Sequence, residues 1–398
     1  MVPAPANDRM HPMKAALDEI LARSAESGEV PGVVAMVGDI KGTIYEGAFG
    51  KRSLSGPDPM TPDTVAWVAS MTKAVTTVAL MQLVEEGRVD LDAPAGRYCP
   101  EIGKAQLLHD FDADGRPLTR APKTPVTVRH LLTHTSGYCY DFASSAIRKY
   151  MKATGLPGTN TGLKASLAAP LVAEPGSAFI YGISTDWAGQ IVEAVTGKRL
   201  GEVFAERIFG PLGMADSMFR LGAAQHARRA AVHGVKEDGA YVPTDMVVVQ
   251  EPEFESGGGG MYSTAPDYLT FVRMILNGGE MNGARILKPE TIVALSTDQI
   301  PELSIPAMGL MSPMGVRSVD FFPGIPTGWS LAFEINREQS AEGRSAGSLF
   351  WGGFANTYYW IDPVKGIAAV FLTQIVPFYD PRAVKLFKEF ERGVYGAL

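Results

Sequence analysis

The chain is short of the features that announce several large function classes. Its 398 residues include only two cysteines, Cys99 and Cys139, in no C-x-x-C or other metal-like spacing. That excludes a disulfide framework or a cysteine-ligated metal, and free thiols are expected. There are six histidines, none after His233, and no H-E-x-x-H. No dense run of Lys or Arg occurs and the formal net charge is −7, so nucleic acid is not an expected partner. No apolar run reaches the ~20 residues of a membrane span. The first residues, Met1 to Asp8, show no basic stretch leading into an apolar core, and a cytoplasmic protein is expected. Internal repeats and long low-complexity segments are missing too. What is present, 46% hydrophobic and 20% charged residues, suits a folded chain of two domains or of one domain with an insertion.

Both ends of the chain carry a helix together with strand-like runs. Residues 13–27 read as a helix, followed by strands at 32–37 and 43–49. Near the other end, strand-like runs at 329–336, 348–361 and 367–375 precede a helix introduced by Asp380-Pro381, an N-cap and first-turn pair. Short helices and loops rich in Gly, Pro and Thr fill the stretch between. The expected fold is α/β (α+β): an antiparallel sheet built from both termini and flanked by helices, plus an inserted, mostly helical domain. The expected division is 1–90 with 255–398 for the first unit and 91–254 for the second. An active site would lie in the cleft between them.

One tetrad stands out, Ser70-Met71-Thr72-Lys73, the only S-x-x-K in the chain. It lies where a helix rich in Ala, Val, Leu and Met begins. Residues three apart share a helix face, so the Ser70 hydroxyl and the Lys73 amine can meet. A serine hydroxyl is a weak nucleophile until a base takes its proton, and a lysine amine can be that base when burial or a neighbouring cation disfavours the ammonium. The helix start adds free N–H groups where an oxyanion would form. A Ser N-cap followed by a surface lysine is the plainer explanation, but a lysine in the first turn of a buried helix needs a reason to be there.

Two further segments offer partners. Tyr181, just ahead of a helix that starts near Thr185, can face Ser70 across the cleft and relay protons; a buried core tyrosine is the alternative. Trp351-Gly352-Gly353 lies in a late strand, where paired glycines mark a close approach of backbone to a substrate or to a packed helix.

Ser70-Met71-Thr72-Lys73, His130-Leu131-Leu132-Thr133-His134-Thr135-Ser136-Gly137, Tyr181 and Trp351-Gly352-Gly353 occur in the order and spacing of the serine β-lactamase and penicillin-binding superfamily. The chain resembles most the family VIII carboxylesterases, relatives of class C β-lactamases, from about residue 20 to 375. The resemblance implies Ser70 as the acylated nucleophile, with Lys73 and Tyr181 sharing base and acid work. It implies an oxyanion hole from the backbone N–H groups of Ser70 and Phe354, and Trp351 on the wall of the acyl or alcohol pocket. Gly352 and Gly353 belong to the same substrate-binding strand. No metal or organic cofactor is implied, and the expected partner is a small-molecule ester.

Two departures narrow the expectation. Trp351-Gly352-Gly353 stands where β-lactamases and penicillin-binding proteins carry Lys-Thr-Gly, so the cation that holds a substrate carboxylate is missing. Ile183 stands where class C enzymes have an Asn. Both changes favour neutral short-to-medium acyl esters, with weak cephalosporin hydrolysis as a side activity. A β-lactamase, a D-amino-acid peptidase or an acyltransferase on the same machinery is the alternative, and Arg344 is a poorly placed substitute for the missing lysine.

Other motifs carry less. Gly343-Arg344-Ser345-Ala346-Gly347 matches G-x-S-x-G, but a strand follows it where a nucleophile elbow needs a helix, and no histidine comes later. Asp110 to Gly115 imitates a calcium loop, yet the twelfth position is Ala121, so a turn between short strands is expected. His130 and His134 lack a third metal ligand and read as structural, with His134 a candidate to back the residues of the site. Gly257 to Gly260 read as a flexible approach of backbone to the cleft.

Overall fold

The computed structural model describes residues 6–312 and 315–398. At its centre is a seven-stranded antiparallel sheet. Two strands come from the N-terminal side, β1 (Gly32–Asp39) and β2 (Thr43–Gly50). Five come from the C-terminal side: β3 (Thr327–Trp329), β4 (Glu334–Asn336), β5 (Leu349–Gly353), β6 (Thr357–Asp362) and β7 (Ile367–Leu372). The spatial order is β3-β4-β5-β6-β7-β1-β2, so β1 and β7 join the two ends of the chain side by side, with Val34 opposite Leu372.

Both faces of the sheet are buried, which is why its strands are near-continuous apolar runs. Val34, Met36, Ala368, Val370 and Tyr359 point to one face, in a cluster with Val75, Val78 and Leu80 of helix α2 (Thr72–Glu85) and Phe271 and Ile275 of a later helix (Ala265–Leu276). Val33, Ala35, Ala369, Phe371 and Trp360 point to the other face, against Leu17 and Leu21 of α1 (Ala6–Glu26) and Phe387, Phe390 and Val394 of the C-terminal helix (Pro381–Ala397). Asp380 caps that last helix, accepting from the N–H groups of Arg382 and Ala383. The first apolar cluster continues into Leu131, Ile191, Val203 and Phe204 of the middle segment.

Two of the expected strands are hairpins. The run 329–336 breaks at Ser330, whose hydroxyl accepts from Ala332 N (3.1 Å) and Phe333 N (2.9 Å) and folds the chain back. The run 348–361 breaks at Phe354-Ala355-Asn356, with Asn356 in the left-handed region (φ 55°). The Asn356 amide nitrogen donates to the carbonyls of Ile375 (2.8 Å) and Pro377 (3.0 Å). Apolar periodicity does not register turns built from one buried polar side chain.

The middle segment is mostly short helices, including α3 (Ser184–Thr196), with two-stranded ribbons at Leu107–Phe111/Pro117–Arg120 and His233–Val235/Tyr241–Pro243. The first ribbon is the expected turn at Asp114-Gly115. Among the described residues no helix is long and apolar enough to cross a membrane.

Candidate active site

Ser70 does not sit within a regular α-helix but on the tight turn Ala69–Met71 that runs into α2. Ala69 is in the left-handed region (φ 46°), which is uncommon for a residue with a Cβ and marks local strain. The surroundings hold this turn in place. The Gln374 side chain accepts from Trp67 N (2.9 Å) and donates to Trp67 O (3.0 Å). Thr72 Oγ1 donates to Ala69 O (2.6 Å), and Tyr268 OH donates to Met71 O (2.8 Å).

The structure brings the three expected side chains together. Lys73 Nζ lies 3.2 Å from Ser70 Oγ, and Tyr181 OH donates to the same oxygen at 2.8 Å. Lys73 Nζ also stands over the Tyr181 ring, 4.7 Å from its centroid. Trp351 Nε1 donates to Tyr181 OH at 3.3 Å. With 4% exposure, Trp351 reaches the site through Tyr181, in place of the pocket-wall position the resemblance implied.

Gly352 and Gly353 are there for close packing. A Cβ on Gly352 would stand 2.7 Å from the Tyr358 ring, and one on Gly353 would stand 2.2 Å from Val68 O and 2.3 Å from Thr357 Oγ1. The backbone approached is thus the segment that leads into Ser70. Gly353→Ala is expected to cost about 2 kcal/mol or more of stability and to lower activity by displacing the Ser70 turn, read by denaturant unfolding beside ester turnover.

Ser70 opens onto a cavity of about 450 Å³, whose wall includes Trp67, Phe142, Phe219, Phe254 and Phe354. Residues of both expected units contribute, with Thr159, Met246 and Val249 from the middle segment. Phe354 follows β5 directly, at the hairpin tip. The charged residues on the wall are Asp141, Asp186 and Glu255; among the described residues no arginine or lysine is on it. Arg344 cannot replace the missing lysine. It packs on the opposite face of the sheet, 2% exposed at its side chain, and pairs with Glu391 through Nε (2.7 Å) and Nη2 (2.6 Å). Ser345 lies in the loop between β4 and β5, its N–H donating to Asp362.

Sequence reasoning missed two residues of this site. Tyr140 OH accepts from Lys73 Nζ at 3.1 Å and donates to Asp186 Oδ2 at 3.3 Å. A buried tyrosine in a loop and an aspartate in the first turn of α3 carry no motif of their own. The nearest signal was the glycine run. It is pinned rather than loose: Gly258 O accepts from Lys73 Nζ (2.5 Å), Gly259 O from Trp67 Nε1 (2.8 Å), and Gly257 O from Thr76 Oγ1 (2.8 Å).

The two histidines are structural, as expected. His130 completes a capping box with Thr127 at the short helix Val128–Leu132. His134 is buried, with its ring 4.9 Å from Tyr181 and 5.1 Å from Trp329. Burial, and secondarily the charge of Lys73, hold His134 well below the usual histidine range, so it is neutral packing behind Tyr181. Both cysteines are free and buried, and burial pushes each thiol up to about 12. Among the described residues no group of three or more His, Cys, Asp or Glu is arranged to hold a metal.

Known proteins resemble this chain along nearly its whole length. Residues 17–391 match the Beta-lactamase family. Monacolin J acid methylbutanoyltransferase of Aspergillus terreus is 30% identical over 402 residues, which cover 95% of either chain. The lovastatin esterase of Penicillium rubens is 28% identical over 393 residues, 95% of this chain and 98% of its own. A mutant of simvastatin synthase from Aspergillus terreus superposes with a TM-score of 0.85 at 30% identity, covering 100% of this chain and 98% of the other. With the match running through sheet and site alike, the chain belongs to the beta-lactamase family, among its serine hydrolases and acyltransferases.

Proposed function

We propose that this protein moves acyl groups from small neutral esters through an acyl-enzyme on Ser70, passing them to a bound alcohol and, in its absence, to water. The observation that carries the proposal is Ser70 Oγ held between Lys73 and Tyr181 at the floor of an aromatic-walled cavity. On the sequence alone, hydrolysis by a family VIII-like carboxylesterase is the expected activity. Relatives named as acyltransferases support giving transfer the greater weight, and the lovastatin esterase supports keeping water as a competing acceptor.

In this scheme Lys73 takes the Ser70 proton, assisted by Tyr181, while Oγ forms a bond to the ester carbonyl carbon. The N–H groups of Ser70 and Phe354 hold the oxyanion. The proton passes to the leaving oxygen, the carbon–oxygen bond breaks and the alcohol departs. An acceptor hydroxyl then gives its proton to the same pair, attacks the acyl carbon and frees Ser70. Met246 and Val249, about two-fifths exposed (41% and 38%) at the cavity, support an apolar acyl or alcohol group. A wall with no arginine or lysine among the described residues argues against substrates anchored by a carboxylate, penicillins included.

The test is product partition. With p-nitrophenyl butyrate and increasing n-butanol, butyl butyrate is expected to replace butyrate as product while p-nitrophenol release persists. Butyrate as sole product at every alcohol concentration would leave a plain esterase. Faster turnover of a chromogenic cephalosporin than of the ester would move the protein to the β-lactamase side.

A further inference from the structure

Lys73 is 2% exposed, and among the described residues no carboxylate lies within ion-pair distance of it. Asp186 is also 2% exposed, and no lysine or arginine among the described residues reaches it. Buried charges without a partner are costly, so two of them in one site call for an explanation. Two bridges join them. The Tyr140 hydroxyl accepts from Lys73 Nζ and donates to Asp186 Oδ2. The Gly258 peptide region does the same, its N–H donating to Asp186 Oδ1 (3.0 Å) and its carbonyl accepting from Lys73 Nζ (2.5 Å). Ser256 Oγ donates to Asp186 Oδ1 as well, at 2.6 Å.

We infer that Asp186 is a positioning residue that aims the Lys73 lone pair at Ser70. The inference rests on the Ser70 mechanism proposed above. A neutral lysine amine has two hydrogens and one lone pair. Tyr140 and the Gly258 carbonyl take the two hydrogens, which leaves the lone pair facing Ser70 Oγ. That assignment holds only while Tyr140 turns its own proton away from Lys73, and Asp186 is the acceptor that turns it. Burial, and then the charge of Asp186, hold the Tyr140 phenol well above its usual range, so it keeps the proton it donates. Room for the second bridge requires glycine, since a Cβ on Gly258 would stand 2.5 Å from Asp186 Oδ2 and 2.7 Å from Tyr140 OH.

Asp186→Asn tests this. The new amide would donate to Tyr140, whose proton would then turn onto Lys73 and draw the lone pair away from Ser70. The loss resembles the wrong-tautomer defect of a serine triad that lacks its carboxylate. The groups that face Lys73 are Tyr140 and Tyr181 from the two loops, Asp186 from α3 and the neutral His134 behind Tyr181. Among the described residues Asp186 is the one carboxylate bridged to Lys73, so D186N removes the negative charge that these bridges link to the amine.

The readout is the pH-dependent rate at which an alkyl p-nitrophenyl phosphonate labels Ser70, located by peptide mapping. In D186N the rate is expected to fall by on the order of a hundredfold, with the acid limb moved about one pH unit lower. In a Tyr140→Phe background, where no phenol proton can turn, D186N is expected to cost less than about tenfold. A D186N rate and limb equal to wild type would overturn the assignment. So would a rate loss with an unmoved limb and an equal loss in the Y140F background, since Asp186 would then be packing alone. If D186N does not fold, Y140F alone must label about tenfold more slowly than wild type, because Lys73 has lost one of its acceptors; an unchanged rate would overturn the assignment. Wild-type protein that labels elsewhere than Ser70 would overturn the Ser70 mechanism and this inference together, an outcome distinct from the others.

Discussion

Ser70→Ala is expected to lower p-nitrophenyl butyrate turnover by on the order of a thousandfold or more and to abolish the acyl adduct. The size follows from what the hydroxyl does. Without it no covalent intermediate forms, and whatever rate survives comes from the oxyanion N–H groups and binding alone. The fold should survive, because the Ser70 turn is held by Gln374, Thr72 and Tyr268 and not by the Ser70 side chain. Steady-state kinetics beside a thermal melt would check both halves. A variant that melts like wild type and keeps near-normal turnover would remove Ser70 from the chemistry.

Lys73→Met should be equally severe, again on the order of a thousandfold or more in kcat. Methionine fills much of the lysine volume without the amine, so the buried helix keeps its packing while the base disappears. Tyr181 would remain 2.8 Å from Ser70 but would have no amine beside it to pass the proton to. The measurement is the pre-steady-state burst of p-nitrophenol. Loss of the burst with KM little changed places Lys73 in acylation, and a preserved burst with slow later turnover would confine it to deacylation.

The sheet was legible because it is buried on both faces: runs such as Val33 to Val37 and Ile367 to Leu372 are apolar at nearly every position, as a strand covered on both sides must be. Ser70, Lys73 and Tyr181 were legible because reactive residue types stood at a spacing that chemistry needs. The breaks at Ser330 and Asn356 were not, since each depends on a buried polar side chain meeting backbone far along the chain. Tyr140 and Asp186 stayed hidden for the same reason. Their role exists only once α2, α3 and the glycine run meet, and the glycines, read as loose, turn out to be fastened to Lys73, Trp67 and Asp186. The family resemblance implied a pocket-wall position for Trp351, whereas its indole N–H supports Tyr181. A side chain's residue type shows what it can donate or accept; which neighbour receives it is decided by the fold.

The most direct test of the account is the intact mass of the protein, followed by peptide mapping, after brief mixing with p-nitrophenyl butyrate and rapid acid quench. One butyryl group on the peptide carrying Ser70, discharged faster when n-butanol is present, is the predicted result. A butyryl group on the Ser345 peptide, or turnover with no trapped adduct anywhere, would contradict it.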